Sequence, residues 1–157
     1  MELTNRIAVI TGGSGGIGRA MAKAFLAEGA RGIVLADLNA DAVATTAEEL
    51  GVDGLACDVT NEQDITDLTN YALEKYGQVD LFCSNAGAGG EGLLTDATNE
   101  VWQKQWDLHL MSHLYAARAV LPSMLERGEG YLMNTASAAG LLAAIGSGPY
   151  TVTKAAA

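Results

Sequence analysis

The sequence predicts an α/β fold in which helices cover both faces of a doubly wound parallel sheet. Short and almost continuously apolar segments alternate with segments of helical periodicity along the 157 residues. Glycines follow several helical segments, where they can end a helix in the left-handed conformation. Because such strands are joined by right-handed crossovers and run in one direction, a ligand crevice is expected at their carboxyl ends.

Five segments have the composition of buried parallel strands. Apolar side chains occupy most of their positions, and glycine or polar residues bound them. The predicted strands cover residues 7–10, 33–36, 54–57, 79–84 and 131–135. No repeat, low-complexity stretch or linker separates them, so we expect a single domain over residues 1–157.

Five stretches with helical periodicity lie between the strands and after the last one. The predicted helices cover residues 17–29, 41–50, 60–77 and 98–128, and a last helix starts at residue 148. Thr60 and Gln63 have the spacing of a capping box, and Pro149 takes the first position of the last helix. We expect the long fourth stretch to be interrupted once before Pro122. A loop over residues 85–92 carries four glycines.

The composition excludes several functional classes. Nine Lys and Arg residues against nineteen Asp and Glu residues give a formal charge of -10, which repels nucleic acid and anionic lipid. No apolar run reaches the ~18 residues of a membrane span, and the first residues lack the layout of a secretory signal. We therefore expect a cytoplasmic protein that binds neither nucleic acid nor membrane. Cys57 and Cys83 are isolated in apolar segments, which predicts reduced core thiols.

A glycine-rich segment, residues 11–18, lies where the first strand turns into the first helix. Residues without Cβ let the backbone approach a pyrophosphate, and the helix N terminus offers it unpaired N–H groups. Gly13, Gly15 and Gly18 match Gly-x-Gly-x-x-Gly, and Asp37 follows nineteen residues later at the end of the second strand. A carboxylate there can accept both ribose hydroxyls of NAD and repels the 2′-phosphate of NADP. The alternative is a glycine-rich turn with Asp37 as a solvated strand end.

The same segment also fits Thr-Gly-x-x-x-Gly-x-Gly, and four further motifs follow it in order. They are Asp58-Val59 after the third strand, Asn85-Ala86-Gly87 after the fourth, Ser137 after the fifth, and Tyr150-x-x-x-Lys154. With these motifs the sequence resembles the short-chain dehydrogenase/reductase family, in its compact non-extended branch, over essentially the whole chain. The resemblance implies a Rossmann fold with NAD as cofactor, and NAD is favoured because neither Gly15 nor Leu38 supplies a cation for the phosphate of NADP. The cofactor-binding residues that it implies are Gly12, Ser14, Gly15, Gly16, Ile17, Gly18, Asp37, Leu38, Asp58, Val59, Asn85, Ala86, Gly87, Tyr150 and Lys154.

The expected chemistry depends on Ser137, Tyr150 and Lys154. Tyr150 and Lys154 are four residues apart at a helix start and share one face, where the ammonium favours the phenolate form of the tyrosine. Ser137 can hydrogen-bond the substrate oxygen while NAD accepts or returns a hydride. The resemblance, supported by this residue chemistry, implies an NAD-dependent oxidoreductase that interconverts a secondary alcohol and a ketone, with Tyr150 as general acid and base.

His109 departs from the family pattern. Members usually carry Asn at this position, and the resemblance implies a role through a helix irregularity whose main-chain carbonyl binds a water linked to the lysine. His109 therefore joins the catalytic candidates, and we expect it to be tolerated because a backbone role survives a change of side chain. His109 and His113 also have the i, i+4 spacing of metal ligands, but no third ligand is apparent, so no metal site is predicted.

Length is the second departure. Members of the family continue past the Tyr-x-x-x-Lys helix through further strands and a segment over the substrate. We expect the 157 residues to lack these parts and to be unstable or prone to aggregation in isolation. The resemblance also implies a small-molecule alcohol or ketone as substrate, and a homotetramer or dimer built on the long helix around Trp106 and on the helix after Pro149.

Two other functions stay open. A dinucleotide-binding module without catalysis would bind the coenzyme and turn over no substrate. A methyltransferase that uses S-adenosylmethionine would also have a glycine loop and an acidic residue after the second strand. That function gives no reason for the pairing of Tyr150 with Lys154.

Overall fold

A computed structural model of the chain describes residues 1–89, 92–143 and 146–157. Its centre is a five-stranded sheet in the order β3-β2-β1-β4-β5, in which all neighbouring strands are parallel. The strands are β1 Ile7–Thr11, β2 Gly32–Asp37, β3 Asp53–Ala56, β4 Leu81–Ser84 and β5 Tyr131–Asn134. The chain begins in the middle of the sheet, fills one side and then crosses to the other. The sheet is therefore doubly wound, and the predicted fold class is confirmed.

Helices connect the strands at the expected places. They are α1 Gly16–Ala27, α2 Ala40–Leu50, α3 Glu62–Tyr76, α4 Asn99–Trp106, α5 Ser112–Arg127 and α6 Gly148–Ala156. A π-helical turn, Asp107–Met111, joins α4 to α5, and a short 3₁₀ helix, Ala138–Gly140, follows β5. The observed helix and strand ends differ from the predicted ones by a few residues at most, as is usual for ends read from sequence.

Two hydrophobic cores lie on the two faces of the sheet. Side chains alternate along a strand, so Val9 of β1 faces one core while Ala8 and Ile10 face the other. The first core packs under α3 and α5 and contains Ile65, Leu68, Phe82 and Val120. The second packs under α1 and α2 and contains Ala22, Ile33, Leu35 and Val43. This packing holds β1 and β2 rigid where their ends reach the crevice.

The expectation of continuously buried strands is wrong for β3 and β5. The positions of β3 alternate between half-buried and exposed, and Tyr131 at the start of β5 is 55% exposed. Both strands lie at the edges of the five-stranded sheet, where only one neighbour shields them. The strands β1, β2 and β4 are buried almost throughout, as predicted.

The third helix is capped by Asn61 and not by Thr60. The Asn61 side chain accepts a hydrogen bond from the backbone N–H of Gln63 at 3.0 Å. Thr60 instead donates both its backbone N–H and its hydroxyl to Oδ1 of Asp58, at 2.9 and 2.7 Å. The preceding carboxylate therefore competes successfully for Thr60, and the helix starts one residue later.

The predicted interruption of the long helix is the π-helical turn at Asp107–Met111, before Pro122. Pro122 itself lies inside α5. The turn changes the helical register at His109 and buries that side chain completely.

Two segments fall partly outside the described residues. The glycine loop over residues 85–92 includes Gly90 and Glu91, and the small-residue segment after β5 includes Ala144 and Ile145. Among the helices that the structure describes, none combines the length and the apolar character needed to cross a bilayer. Cys57 and Cys83 are buried and unpaired, and burial raises the pKa of each thiol to about 12.

Candidate active site

A cleft of about 930 Å³ lies at the carboxyl ends of the strands. It brings together the predicted cofactor-binding residues with Ser137, Tyr150 and Lys154, although these come from separate parts of the chain. The predicted residues that line it are Gly12, Ser14, Gly15, Gly16, Ile17, Gly18, Asp37, Leu38, Asp58, Val59, Asn85, Ala86, Gly87, Ser137, Tyr150 and Lys154. His109 lies behind this surface and does not line the cleft.

The glycine loop approaches neighbouring backbone too closely for side chains. Gly12 has φ +64°, and a Cβ there would lie 2.9 Å from the Cα of Ala86. At Gly18 a Cβ would collide with the carbonyl oxygen of Gly12. Gly13 packs against Leu35 and does not line the cleft. The Thr-Gly-x-x-x-Gly-x-Gly spacing therefore describes this loop better than Gly-x-Gly-x-x-Gly, which begins at Gly13.

The N terminus of α1 lies at the cleft. Helix α1 starts at Gly16, and residues on both sides of this start line the cleft. The first N–H groups of a helix have no acceptor within the helix, and the helix dipole adds a partial positive charge at this end. This part of the cleft can therefore bind a pyrophosphate.

The carboxylate of Asp37 is held in place at the end of β2. Its Oδ2 accepts hydrogen bonds from the backbone N–H and the hydroxyl of Ser14, at 3.1 and 2.6 Å. Its Oδ1 accepts from the backbone N–H of Asn39 at 3.3 Å. Among the described residues that line the cleft, the cations are Lys104 and Lys154. Leu38, which follows Asp37 in the chain, is 73% exposed and uncharged. The Asp37 carboxylate therefore lines the cleft in an orientation that Ser14 and Asn39 hold.

The floor of the cleft depends on two threonines outside the predicted site residues: Thr11, which opens the Thr-Gly motif, and Thr135. The hydroxyl of Thr11 accepts from the backbone N–H groups of Asn85 and Ala86, at 3.0 and 3.1 Å. The Asn85 side chain donates to the carbonyl oxygen of Thr11 at 3.0 Å and accepts from the hydroxyl of Thr135 at 3.0 Å. Asn85 therefore ties the ends of β1, β4 and β5 together. The signal in the sequence is a threonine at or just after the end of a strand.

Asp58 and Val59 follow β3 and form another wall. Asp58 is held through its contacts with Thr60, and its backbone N–H donates to Asp64 at 2.9 Å. Val59 is buried in the core under α3. Lys104 and Leu108 approach the cleft from α4 and the π-helical turn, and no sequence motif indicated them. They reach the cleft through tertiary packing, which local spacing does not encode.

Lys154 and Ser137 stand at the other end of the cleft from Asp37. Lys154 is 8% exposed, and its ammonium donates to the carbonyl oxygen of Thr135 at 3.0 Å. Burial lowers the pKa of Lys154. The Ser137 hydroxyl oxygen accepts from the backbone N–H of Ala139 at 3.2 Å, which leaves its proton available for donation.

His109 contacts α6, through Tyr150 and Thr153, and the loop after β4, through Ala88. Its ring lies edge-on to the Tyr150 ring, with the ring centroids 5.2 Å apart and the planes at 85°. Its Nδ1 lies 3.0 Å from the hydroxyl oxygen of Thr153, and its Nε2 accepts from the backbone N–H of Ala88 at 3.4 Å. Burial, reinforced by the charge of Lys154, lowers the pKa of His109 to about 4. The expected helix irregularity is present, and the side chain also makes specific bonds that the sequence did not predict.

His113 lies one turn further along α5 and is 8% exposed. Neither ring nitrogen has a hydrogen-bond partner among the residues that the structure describes. Burial, with a further contribution from Lys154, lowers the pKa of His113 to about 4. Within those residues, no group of three or more His, Cys, Asp or Glu side chains could hold a metal ion.

The sequence profile of the short chain dehydrogenase family matches residues 6–157. This chain belongs to that family. The resemblance drawn from the motifs is therefore confirmed. An uncharacterised oxidoreductase of Staphylococcus aureus (strain N315) is 37% identical over 157 residues, which cover 98% of this chain and 68% of that protein.

Two solved structures of family members share the fold closely. A short chain dehydrogenase/reductase from Burkholderia phymatum, in complex with NAD, is 35% identical with a TM-score of 0.95. A 7α-hydroxysteroid dehydrogenase, complexed with NADH and 7-oxo glycochenodeoxycholic acid, is 33% identical with a TM-score of 0.90. Both alignments cover 99% of this chain, but they span 57% and 62% of those proteins. The chain thus spans about three fifths of the length of these two solved relatives.

Proposed function

We propose that this protein is an NAD-dependent oxidoreductase that interconverts a secondary alcohol and a ketone. One observation carries the proposal: a single cleft runs from Asp37 and the N terminus of α1 to Ser137, Tyr150 and Lys154. A dinucleotide can lie along such a cleft with its adenosine at one end and its nicotinamide at the other. Membership of the short chain dehydrogenase family supports this assignment.

The residues at the adenosine end fit NAD. The backbone at Gly12 and Gly18 leaves a cradle that a Cβ would fill, next to the start of α1. Asp37, oriented by Ser14, can accept the two ribose hydroxyls, whereas a 2′-phosphate would meet a negative charge. The NAD and NADH complexes of the two solved relatives support the same choice of coenzyme.

The residues at the other end fit proton transfer and carbonyl binding. Bound NAD would supply the hydride acceptor, or NADH the donor. Tyr150 would take the hydroxyl proton of the alcohol during oxidation and return it to the carbonyl oxygen during reduction. Lys154, held by Thr135, would stabilise the phenolate and bind the ribose through its remaining N–H groups. Ser137 would donate to the substrate oxygen as negative charge develops there.

Calorimetric titration of the purified protein with NAD, NADP and S-adenosylmethionine tests the coenzyme assignment. We expect NAD to bind most tightly, by at least tenfold over NADP. Tighter binding of S-adenosylmethionine would favour a methyltransferase and overturn the proposal. A screen of secondary alcohols with NAD, and of ketones with NADH, followed at the absorbance of NADH, then tests the reaction.

The second candidate is a dinucleotide-binding module without catalysis. The replacement of the usual family Asn by His109 is the observation that favours it, since this position adjoins Tyr150. NAD binding without turnover across the whole screen would support this candidate. The screen should include hydroxysteroids and their ketones, because one solved relative is a 7α-hydroxysteroid dehydrogenase bound to a 7-oxo bile acid conjugate.

We also propose a cytoplasmic homodimer or homotetramer. Apolar side chains are exposed along the long helical segment, where Trp106 is 40% and Leu125 is 75% exposed. Their burial between copies would remove apolar surface from water. Light scattering of the purified protein measures the mass directly, and a monomer at micromolar concentration would contradict this part of the proposal.

A further inference from the structure

The side chain of His109 joins three segments that carry site residues. It projects from the π-helical turn, is fully buried and lies against the loop after β4 and against α6. The loop contributes Ala88, whose N–H donates to Nε2, and α6 contributes Thr153, whose hydroxyl oxygen lies 3.0 Å from Nδ1. The imidazole ring therefore links the loop after β4 to α6 through its two nitrogens.

Thr153 is placed where it can affect both Tyr150 and Lys154. It lies between them on α6, is completely buried and has its Oγ1 2.9 Å from the carbonyl oxygen of Pro149 and 3.1 Å from that of Tyr150. The Thr153 hydroxyl has one proton, and it donates that proton in a hydrogen bond to these carbonyl oxygens. The oxygen must then accept from Nδ1–H of His109.

The bonding pattern assigns one tautomer to His109. Because Nε2 accepts from Ala88, the single proton of the neutral ring lies on Nδ1 and points to Thr153. A protonated ring would lose the acceptor for Ala88, and the buried position and the nearby Lys154 charge both oppose protonation. The ring is thus a neutral connector with a donor at one end and an acceptor at the other.

The connector lies close to the reacting groups. A Cβ built on Gly87 would lie 3.4 Å from Nε2 of His109 and 3.7 Å from Nζ of Lys154, so the loop, the ring and the ammonium meet at one point. The Tyr150 ring stands edge-on to the same imidazole. A displacement of the ring would therefore move Tyr150 and Lys154 relative to the floor of the cleft.

We propose that the His109–Thr153 hydrogen bond sets the position of α6 against the loop after β4, which makes Thr153 a positioning residue for Tyr150 and Lys154. This inference rests on the proposed dehydrogenase function. It assigns a role to the His109 side chain in addition to the main-chain role expected from the family, and it assigns a role to Thr153 that no motif indicated.

The test compares three variants on the same helix. Thr153→Val keeps the shape and removes the hydroxyl, so kcat is expected to fall roughly tenfold to a hundredfold. The dissociation constant of NAD, bound mostly at the other end of the cleft, is expected to change less than about threefold. Thr153→Ser keeps the hydroxyl and should restore kcat to within about threefold of the wild type. Thr151→Val is the matched control, because the Thr151 hydroxyl has no partner among the described residues, and it should leave kcat unchanged.

Two results would overturn the proposal. One is a Thr153→Val enzyme with wild-type kcat, and the other is a Thr153→Ser enzyme as impaired as Thr153→Val. If Thr153 had only a structural role, Thr153→Val would lower the thermal midpoint and would not lower kcat while leaving the NAD dissociation constant nearly unchanged.

Long-range ¹H–¹⁵N correlation spectra of the purified wild-type protein test the same bond without any turnover. A His109 proton on Nδ1 is expected, and a proton on Nε2 would overturn the inference even if Thr153→Val failed to fold. If the protein bound NAD and turned over no substrate, the proposed function would fail. A proton on Nδ1 would then still support the bond between His109 and Thr153, and a proton on Nε2 would still overturn it.

Discussion

The ammonium nitrogen of Lys154 donates a hydrogen bond to the main-chain carbonyl oxygen of Thr135, 3.0 Å away. This bond joins α6 to the end of β5 across nineteen residues of sequence. The carbonyl is a neutral acceptor, so the bond holds the buried Lys154 side chain without a carboxylate partner. A carboxylate in that place would oppose the effect of the ammonium on a nearby phenol. The same threonine holds Asn85 through its hydroxyl, so one residue positions both the cation and the floor of the cleft.

Tyr150→Phe should lower kcat by about a hundredfold to ten-thousandfold, because it removes the proposed general acid and base. The aromatic packing against His109 is retained, so NAD affinity and thermal stability should stay close to those of the wild type. Steady-state kinetics together with NAD titration measure both effects. Tyr115→Phe on α5 is the matched control and should keep full activity. A Tyr150→Phe enzyme with near-normal turnover would remove Tyr150 from the mechanism.

Asp37→Ala should weaken NAD binding and relax discrimination against NADP by about tenfold or more, because the carboxylate that accepts the ribose hydroxyls is lost. Ser14→Ala should shift the ratio of the NADP and NAD dissociation constants in the same direction by a smaller factor, since it removes one of the bonds that orient Asp37. The ratio of the two dissociation constants is the measurement. Asp41→Ala, an exposed carboxylate on α2, serves as the control. An unchanged ratio in Asp37→Ala would contradict the assignment.

His109→Asn should change kcat less than tenfold. Asparagine is the residue usual in the family here, and its side chain offers both a donor and an acceptor in place of the two ring nitrogens. His109→Leu offers neither and should impair kcat more strongly, since Ala88 N–H and the Thr153 hydroxyl would each lose a partner. A hundredfold change in His109→Asn, in either direction, would show that the main-chain role is not sufficient.

The free energy of unfolding should fall as the pH drops from about 6.5 to about 4. Burial lowers the pKa of both His109 and His113 from 6.5 to about 4. In this window the unfolded chain binds protons that the folded chain does not, which favours unfolding by up to ~1.4 kcal/mol per pH unit for each histidine. Asp80, whose pKa is lowered below 3.8, loses its contribution only at more acidic pH.

Urea denaturation of the wild type and of His113→Leu at a series of pH values measures this dependence. The variant should show about half the slope of the wild type between pH 6.5 and 4. It should also be at least as stable at pH 7, because it removes a buried ring without hydrogen-bond partners among the described residues. A wild-type stability that is constant across this window would contradict the prediction.

Local patterns predicted the elements and much of the cleft. The glycine spacing after β1, the acidic residue at the end of β2 and the four-residue spacing of Tyr150 and Lys154 each depend on neighbours within one or two elements. The apolar composition of β3 and β5 does not reveal that they are edge strands, because burial depends on how many neighbours a strand has in the sheet. The cap of α3 lies one residue after the predicted Thr60, because the Thr60 hydroxyl bonds to Asp58 instead.

The sequence by itself determined the alternation of strands and helices, the glycine turn at the first helix and the motif order that indicates the family. These features follow from backbone conformation and side-chain periodicity, which act over a few residues. Only the tertiary structure decided that His109 bonds to Thr153, forty-four residues away, and to a backbone N–H of the loop after β4. The register of the π-helical turn and the packing of α6 determine those partners, and no periodic pattern in the sequence indicates either one.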